Sequence, residues 1–168
     1  MTGALSPWLQ RFAPRPAGTA LDVACGSGRN LRWLAEAGWR VTGVDRDTGA
    51  TAPLRDLAEI VDADIESGPW PLPERTFDLV VVCNYLWRPL LDSIKSAVKP
   101  GGWLVWETFA DGQQTIGRPS RPDFLLQRGE LLRVCADWRI VAYEDLFDDS
   151  VNPRFVQRVA AIRPPPAA

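Results

Sequence analysis

The segment at residues 21–30, Leu-Asp-Val-Ala-Cys-Gly-Ser-Gly-Arg-Asn, constrains the fold most strongly, because it predicts a buried strand that turns directly into a helix. Gly26 and Gly28 lack a Cβ and can adopt positive φ, so a ligand can approach bare backbone there. The helix would direct unpaired N–H groups and its positive dipole end at that ligand. The segment therefore predicts a site for a nucleotide-like or carboxylate-bearing ligand. A purely structural turn is the competing interpretation.

Strand-like and helical segments alternate after this turn. The run at residues 77–83, Phe-Asp-Leu-Val-Val-Val-Cys, is apolar almost throughout, which is typical of a central parallel strand covered on both faces. Gly38 predicts the end of the first helix after the turn, and Ser6 with Pro7 predicts the start of an N-terminal helix. Further strands are predicted at residues 39–45, 60–65, 76–84, 103–107, 138–146 and 154–163, the last two as antiparallel neighbours, and helices at residues 6–12, 29–37, 88–97 and 128–135.

The pattern Asp-x-Ala-x-Gly-x-Gly at residues 22–28 resembles the first motif of the class I S-adenosylmethionine-dependent methyltransferases. The usual form of that motif has glycine where Ala24 stands. Leu31 replaces the third glycine of the dinucleotide-binding fingerprint, so the turn is not of that type. Phe-Asp before the fourth strand and Lys-Pro-Gly-Gly before the fifth are also typical of the family. These matches cover about residues 20–109.

The resemblance implies an α/β fold with a Rossmann-like, seven-stranded, mostly parallel sheet, helices on both faces and an antiparallel last strand. It also implies the cofactor S-adenosyl-L-methionine, with Asp45 holding the ribose and Asp64 accepting from the adenine amino group. Asp62 is the substitute for Asp64, and a strand-end or helix-capping acid is the alternative for Asp45. The full set of predicted cofactor-binding residues is Asp22, Ala24, Cys25, Gly26, Ser27, Gly28, Asn30, Asp45, Arg46, Asp64, Ile65, Asn84 and Tyr85.

The acceptor side is predicted at the ends of the fourth and fifth strands, from residues 84–88, 107–109 and 113–124, with the N-terminal helix as a cover carrying Trp8 and Phe12. Glu107 and Tyr85 are the predicted catalytic residues, with Glu107 as base or substrate-orienting acid. The alternative for Glu107 is a structural ion pair with Arg88 or with an arginine of residues 118–121. Asn-Tyr-Leu-Trp stands where an Asn-Pro-Pro-Tyr tetrapeptide would indicate methylation of base or glutamine amide nitrogens.

Composition narrows the function classes further. The chain of 168 residues contains no histidine, which excludes histidine bases and Ser-His-Asp triads. The odd count of three cysteines argues against a disulfide framework, and their spacing predicts no metal site. The formal net charge of −2 gives no support for an electrostatic nucleic-acid binder. The sequence shows no signal peptide and no apolar run of membrane-spanning length, so we expect a cytoplasmic protein without membrane contact.

We expect one methyltransferase domain over residues 1–168, with a short cap at residues 1–18 and a flexible tail at residues 164–168. The predicted function is methyl transfer to a small-molecule acceptor by a bacterial protein that is a monomer or a homodimer. An RNA or protein methyltransferase and a non-catalytic S-adenosylmethionine-binding protein that acts through a partner remain the alternatives. Residues 26–30, 129–132 and 138–144 also resemble the small tellurite-resistance branch of the family, which has a longer N-terminal segment and uses histidines absent here.

Overall fold

A computed structural model describes residues 4–168 as a single seven-stranded sheet with helices on both faces. The spatial order of the strands is β3-β2-β1-β4-β5-β7-β6. Strands β1 to β5 run parallel to one another, and β7 is antiparallel to both β5 and β6. The predicted fold class is thereby confirmed. The strands are β1 (Thr19–Val23), β2 (Arg40–Asp45), β3 (Glu59–Asp62), β4 (Phe77–Cys83), β5 (Val98–Phe109), β6 (Arg139–Asp148) and β7 (Arg154–Ile162).

Four short helices begin and end close to the predicted positions. They are α1 (Pro7–Phe12), α2 (Arg29–Glu36), α3 (Leu91–Ser96) and α4 (Glu130–Val134). The Ser6 side chain caps α1 by accepting from the Leu9 N–H, as predicted. Gly38 follows α2 with φ +93°, the left-handed conformation that ends a helix. The helix predicted at residues 88–97 is divided into a 3₁₀ turn at Arg88–Leu90 and α3, because Pro89 favours a helix start.

The core has two layers, one on each face of the sheet, because successive side chains of a strand point to opposite faces. On one face, Leu21 and Val23 of β1 join a cluster with Ile94 of α3 and Leu131 of α4. On the other face, Ala20 of β1 packs in a cluster with side chains of α1 and α2. The central strands are apolar on both sides for this reason.

Residues Lys99–Gly102 form an insertion within β5 rather than a turn before it. Phe77 pairs with Val98, whereas Leu79 pairs with Trp103, so the register shifts across the four intervening residues. The excursion is tied to the end of β7, where the Gly101 N–H donates to the Arg163 carbonyl at 2.8 Å. The prediction of a turn here was therefore wrong in detail, because the strand continues on both sides of the insertion.

The sheet brings the carboxyl ends of β1, β2, β3 and β4 to one edge, and β1 lies between β2 and β4. Chain order along the sheet reverses at β1, since β2 and β3 follow to one side and β4 to the other. In open parallel sheets, ligands bind in the crevice at such a switch point. No helix in residues 4–168 is long and apolar enough to cross a membrane.

Candidate active site

The turn after β1 has the open backbone that the sequence predicts. Ala24, Gly26 and Gly28 have φ of +54°, +56° and +79°. A Cβ added to Gly26 would meet no atom within 4 Å, so a ligand can approach this backbone. A Cβ on Gly28 would lie 2.6 Å from Leu54 Cδ1, so the third position of the turn is closed to larger residues by packing. Ala24 has a side chain at positive φ, a conformation that is strained for residues other than glycine, and glycine is the residue usual at this position of the motif.

Asp45 stands at the end of β2, directly beside this turn. Its Oδ2 accepts from the Gly26 N–H at 2.8 Å, and its Oδ1 accepts from the Asp47 N–H at 2.9 Å. The carboxylate is therefore held in one orientation at the crevice wall. Each oxygen still has a lone pair for a ligand hydroxyl.

Asp22 is the buried acid of the turn. It is 2% exposed, and its Oδ2 has no hydrogen-bond partner within residues 4–168. Burial raises the pKa of this carboxyl to about 7, the Arg29 guanidinium opposes that rise, and Asp45 adds to it. Oδ2 is fully enclosed, so this oxygen is not available for direct contact with a ligand in the crevice. A cation bound at the turn would relieve its isolation.

A crevice of about 440 Å³ opens at this edge of the sheet, a volume suited to a small ligand. Seven of the predicted site residues line it: Ala24, Asp45, Arg46, Asp64, Ile65, Asn84 and Tyr85. Ala63, Glu66 and Phe124 complete the wall. The predicted residues that are not on this wall are Asp22, Cys25, Gly26, Ser27, Gly28, Asn30 and Glu107. Glu66 was missed, although its position two residues after Asp64 placed it in the same loop.

The β3 side of the crevice is organised by Asp64 and Glu66. Asp64 Oδ1 accepts from the N–H groups of Glu66 and Ser67, each at 3.1 Å, and these bonds hold the pKa of the Asp64 carboxyl below its usual value. The Tyr85 hydroxyl donates to Glu66 Oε1 at 3.2 Å. Burial and the Glu66 charge raise the pKa of Tyr85, so its hydroxyl stays protonated. The single O–H of Tyr85 is thus engaged by Glu66, and the residue is poorly suited to act as a base.

Glu107, at the end of β5, has an environment different from the predicted one. It is 3% exposed, and Ser6 Oγ donates to its Oε1 at 2.9 Å. Its Oε2 accepts from Arg158 Nε, and Arg154 Nη2 lies 3.3 Å from the same atom. Both oxygens are therefore engaged within the protein, which favours a positioning role over that of a base.

The ion-pair partners named for Glu107 were wrong. Arg88 instead binds Glu130 through Nε at 2.9 Å and Nη2 at 2.8 Å. Arg154 and Arg158 were not predicted as partners. They lie four residues apart on one predicted strand, and because successive side chains of a strand point to opposite faces, these two point to the same face. In the pairing of β5 with β7, Glu107 lies opposite Arg158, and in the pairing of β7 with β6, Arg158 lies opposite Glu144.

Arg154 connects this charged cluster to the crevice. Its Nη1 donates to Asn84 Oδ1 at 3.2 Å, while Nη2 contacts Glu107. Asn84 follows β4 with φ +54°, a conformation that asparagine tolerates better than most residues. The backbone N–H of Asn84 donates to the Glu107 carbonyl at 2.8 Å, which fixes the start of the loop after β4.

The N-terminal helix does not cover the crevice. Trp8 is 6% exposed within the core cluster under α1, and its Nε1 donates to the Val159 carbonyl at 3.1 Å. Phe12 packs against Trp8 with ring centroids 4.6 Å apart. Helix α1 therefore lies on the sheet face beside β5 and β7, and the predicted cover over the acceptor site was wrong for these two residues. Residues 1–3 of the predicted cap lie outside the described residues.

Phe124, which belongs to the predicted range 113–124, lines one end of the crevice. Trp87 stacks on it with ring centroids 6.5 Å apart. Arg88 holds the same turn, because its Nη1 donates to the Pro122 and Asp123 carbonyls and its Nη2 to the Leu125 carbonyl. The aromatic wall is thus supported by one arginine.

Comparisons with known proteins agree with this architecture. The sequence matches the family described as "Methyltransferase domain" over residues 20–102. A malonyl-acyl-carrier protein O-methyltransferase of Pseudescherichia vulneris is 34% identical over 113 residues, which cover 62% of this chain and 44% of that protein. A probable S-adenosylmethionine-dependent methyltransferase of Mycolicibacterium smegmatis is 32% identical over 124 residues, or 66% of this chain and 48% of that protein. The chain spans about half the length of these curated relatives.

Among solved structures, TehB from Haemophilus influenzae superposes with a TM-score of 0.77 at 18% identity, over 97% of this chain and 63% of that chain. At this identity the likeness shows a shared fold, so the resemblance to the tellurite-resistance branch stays a prediction. Together, the fold, the glycine turn and the acids at the strand ends define a Rossmann-like methyltransferase domain. The chain belongs to the class I S-adenosylmethionine-dependent methyltransferases, whose cofactor is S-adenosylmethionine.

Proposed function

We propose that this protein transfers the methyl group of S-adenosylmethionine to a small-molecule acceptor. The observation that carries the proposal is the Asp45 carboxylate, which is bound to the Gly26 N–H at the wall of the switch-point crevice. That arrangement presents a fixed double acceptor for ribose hydroxyls beside an open turn. The first testable step is therefore cofactor binding, and the second is methyl transfer.

The residues of the crevice fit the two ends of the cofactor. Asp45 would bind the hydroxyls of the ribose, Asp64 would accept from the amino group of the adenine, and Ile65 would offer its backbone N–H to the adenine ring. The ammonium and sulfonium groups of the cofactor are cations, which suits a turn with the unpartnered Asp22 carboxylate beneath it. Arg46 lies on the same wall and leaves a flat guanidinium for stacking on the adenine.

Methyl transfer places modest demands on the protein. The sulfonium already carries a good leaving group, so alignment of the nucleophile and exclusion of water supply much of the rate. The chain's own contribution is to orient the acceptor near Asn84 and Tyr85 and to shield it with Phe124. An acceptor that enters as an anion needs no base, which agrees with the engagement of Glu107 by Ser6, Arg154 and Arg158.

The size and walls of the crevice favour a small acceptor. The volume is about 440 Å³, and Phe124 with its stacked Trp87 closes one end. The named relative that acts on a malonyl-acyl-carrier protein also methylates a small group, though one that is carried on a protein. We therefore propose a small-molecule acceptor or a small group presented by a carrier. A cytoplasmic location and a monomeric or homodimeric state belong to the same proposal, as does a single domain over the whole chain.

Substitution of Asp45 tests cofactor binding. Asp45→Ala should weaken the affinity for S-adenosylhomocysteine by about 2 kcal/mol or more, since the ribose hydroxyls would lose a charged acceptor. Titration calorimetry measures this, and Asp56→Ala, an exposed loop acid, is the matched control. Unchanged affinity of Asp45→Ala would contradict the ribose assignment.

Methyl transfer is tested separately with methyl-labelled S-adenosylmethionine and a host-type lysate that is then separated into small molecules, RNA and protein. Asp45→Ala serves as the blank. Label in the small-molecule fraction supports the proposal and yields the product for identification. Label only in RNA, or on a polypeptide itself rather than on a small group that it carries, would replace the small acceptor by a macromolecule.

A further inference from the structure

The side-chain amide of Asn84, an exposed residue on the crevice wall, is oriented by a hydrogen bond from Arg154. Arg154 Nη1 lies 3.2 Å from Asn84 Oδ1. A guanidinium has only donors, so the atom that faces it must be the amide oxygen. The amide NH₂ group then points away from Arg154, and no atom of residues 4–168 accepts from it. Asn84 therefore has hydrogen-bond donors available on the crevice wall, while Arg154 takes one of the two lone pairs of its amide oxygen.

Arg154 is itself held in place. Its side chain is 19% exposed, and its Nη2 lies 3.3 Å from Glu107 Oε2. Glu107 is buried and is also bound by Ser6 and Arg158. An arginine anchored in this way keeps little rotational freedom, so the amide it binds is preorganised rather than free to flip.

A donor at this position discriminates between acceptor atoms. An oxygen anion that attacks the methyl group uses one lone pair and retains others that accept a hydrogen bond. A neutral amine uses its one lone pair for the attack, and its remaining N–H groups need acceptors that the amide NH₂ cannot supply. Sulfur is a weak hydrogen-bond acceptor and would gain little.

The carboxylates of the crevice do not offset this preference. Asp45 and Asp64 accept from backbone N–H groups on the β2 and β3 side, and Glu66 accepts from the Tyr85 hydroxyl. Asp45 and Asp64 lie at or just after the ends of β2 and β3, where the proposed function puts the adenosine, and the Glu66 oxygen that faces the β4 side is bonded to the Tyr85 hydroxyl. Asn84 lies across the crevice at the end of β4.

We propose that Asn84, positioned by Arg154, selects an oxygen anion such as a phenolate, enolate or carboxylate as the methyl acceptor, so that the protein is an O-methyltransferase. This rests on the proposed function. The acceptor loses its proton to solvent before it binds. One oxygen lone pair forms the new C–O bond, and the C–S bond breaks with its electron pair going to sulfur, which becomes a neutral thioether.

The experiment combines product chemistry with two variants. Methyl-¹³C S-adenosylmethionine is incubated with the full chain and the small-molecule pool of a host-type lysate, and the ¹³C chemical shift of the transferred methyl identifies the bonded atom. Asn84→Asp keeps the Arg154 partner but replaces the NH₂ donor by a second carboxylate oxygen. Arg154→Met releases the amide, and Arg139→Met, an exposed arginine of β6, is the control.

The proposal expects the methyl group on oxygen. Asn84→Asp should lower acceptor kcat/KM by about tenfold or more, in line with one lost hydrogen bond and added repulsion. Arg154→Met should raise acceptor KM by a smaller factor. The affinity for S-adenosylhomocysteine should change by less than about threefold in Arg154→Met, which a general loss of structure would not allow.

Label on nitrogen or sulfur would overturn the inference and leave the methyltransferase function standing. An Asn84→Asp variant with unchanged or higher kcat/KM would also overturn it. No transfer to any fraction, with S-adenosylhomocysteine still bound, would overturn the proposed function and the inference together. The two failures are therefore distinguishable.

Discussion

Asp22 and Glu107 are two buried carboxylates on the same face of the sheet with opposite surroundings. Asp22 has an oxygen without a hydrogen-bond partner in residues 4–168, and burial raises its pKa to about 7. Glu107 has a hydroxyl and two guanidinium groups around it. The first residue is an uncompensated charge beside the proposed cofactor, and the second is the anchor of a charged cluster.

The raised pKa of Asp22 predicts a pH-dependent stability cost. As the pH rises from about 4 to 7, the unfolded carboxyl, with its usual pKa of 3.8, ionises before the folded one, so this group lowers the free energy of unfolding across that window. Asp22→Asn removes the titration. The stability of the variant relative to wild type should therefore improve by on the order of 3–4 kcal/mol between pH 4 and pH 8.

Urea unfolding of both proteins at several pH values measures this difference. Asp56→Asn, at an exposed acid, is the control and should keep a constant difference. A difference for Asp22→Asn that is independent of pH would show that the buried carboxyl does not titrate in this window. The cofactor must be absent, because bound cations would pull the Asp22 pKa down.

The environment of Glu107 predicts a stability effect from its substitution. Glu107→Gln removes the buried charge that two half-buried arginines share, so the free energy of unfolding should fall by about 2–4 kcal/mol. Glu144→Gln alters a more exposed partner of Arg158, with 35% side-chain exposure, and should cost less than about 1 kcal/mol. A Glu107→Gln variant of unchanged stability but with methyl transfer reduced by about a hundredfold would instead support the general base of the sequence prediction.

At the scale of elements, one arginine joins three segments around the acceptor end. Arg88 donates to the Pro122, Asp123 and Leu125 carbonyls and forms a two-point ion pair with Glu130 at the start of α4. Five acceptor atoms on one planar group are a demand that lysine cannot meet. The turn carrying Phe124 is therefore held by this group in addition to its own 3₁₀ hydrogen bonds.

Arg88→Met should loosen the turn at residues 122–125 and lower the free energy of unfolding by about 2–3 kcal/mol. Hydrogen exchange should rise in residues 118–127 and stay unchanged in β1 and β4, which native-state exchange with peptide-level resolution measures. Arg32→Met, which removes only an exposed pair with Glu36, is the control. If hydrogen exchange in residues 118–127 is the same in Arg88→Met as in the wild type, Arg88 does not hold this turn in place.

Elements were predictable from the sequence where a local pattern determines them. Ser6 and Pro7 specify the start of α1, and the apolar run at residues 77–83 specifies a central strand. The partners of Glu107 were not predictable, because they depend on the register between β5 and β7. A slip of one residue would put Arg158 on the opposite face, and nothing in either strand alone fixes that register. The engagement of Trp8 with Val159 depends on long-range packing in the same way.

At the scale of the whole molecule, charge argues against a polyanionic partner. The formal net charge is −2, and three carboxylates stand on the crevice wall with one arginine. We expect a labelled single-stranded RNA to bind with a Kd weaker than about 100 µM at low salt, near the weak end of non-specific binding. Fluorescence anisotropy measures this, and a micromolar Kd that weakens steeply with added salt would revive the RNA methyltransferase.

The overall sheet order was predictable because the glycine turn and the strand-end acids come in a fixed sequence along the chain. The position of helix α1 relative to the site was not predictable. An amphipathic helix at residues 6–12 can lie on any apolar surface, and its place beside β5 and β7 follows from the Ser6 contacts to Asn30 and Glu107, which join residues far apart in sequence.

The three buried cysteines can be used to measure local unfolding in three different regions of this protein. Cys25 lies in the glycine turn, Cys83 at the end of β4 and Cys135 after α4, all buried as free thiols. Burial raises their pKa values to about 12, 12 and 11, so the native thiols are almost entirely protonated at neutral pH. Alkylation of each site then reports the local unfolding of its own region. If cofactor binding stabilises the turn, Cys25 will be alkylated more slowly when S-adenosylhomocysteine is present, while Cys135 keeps its rate.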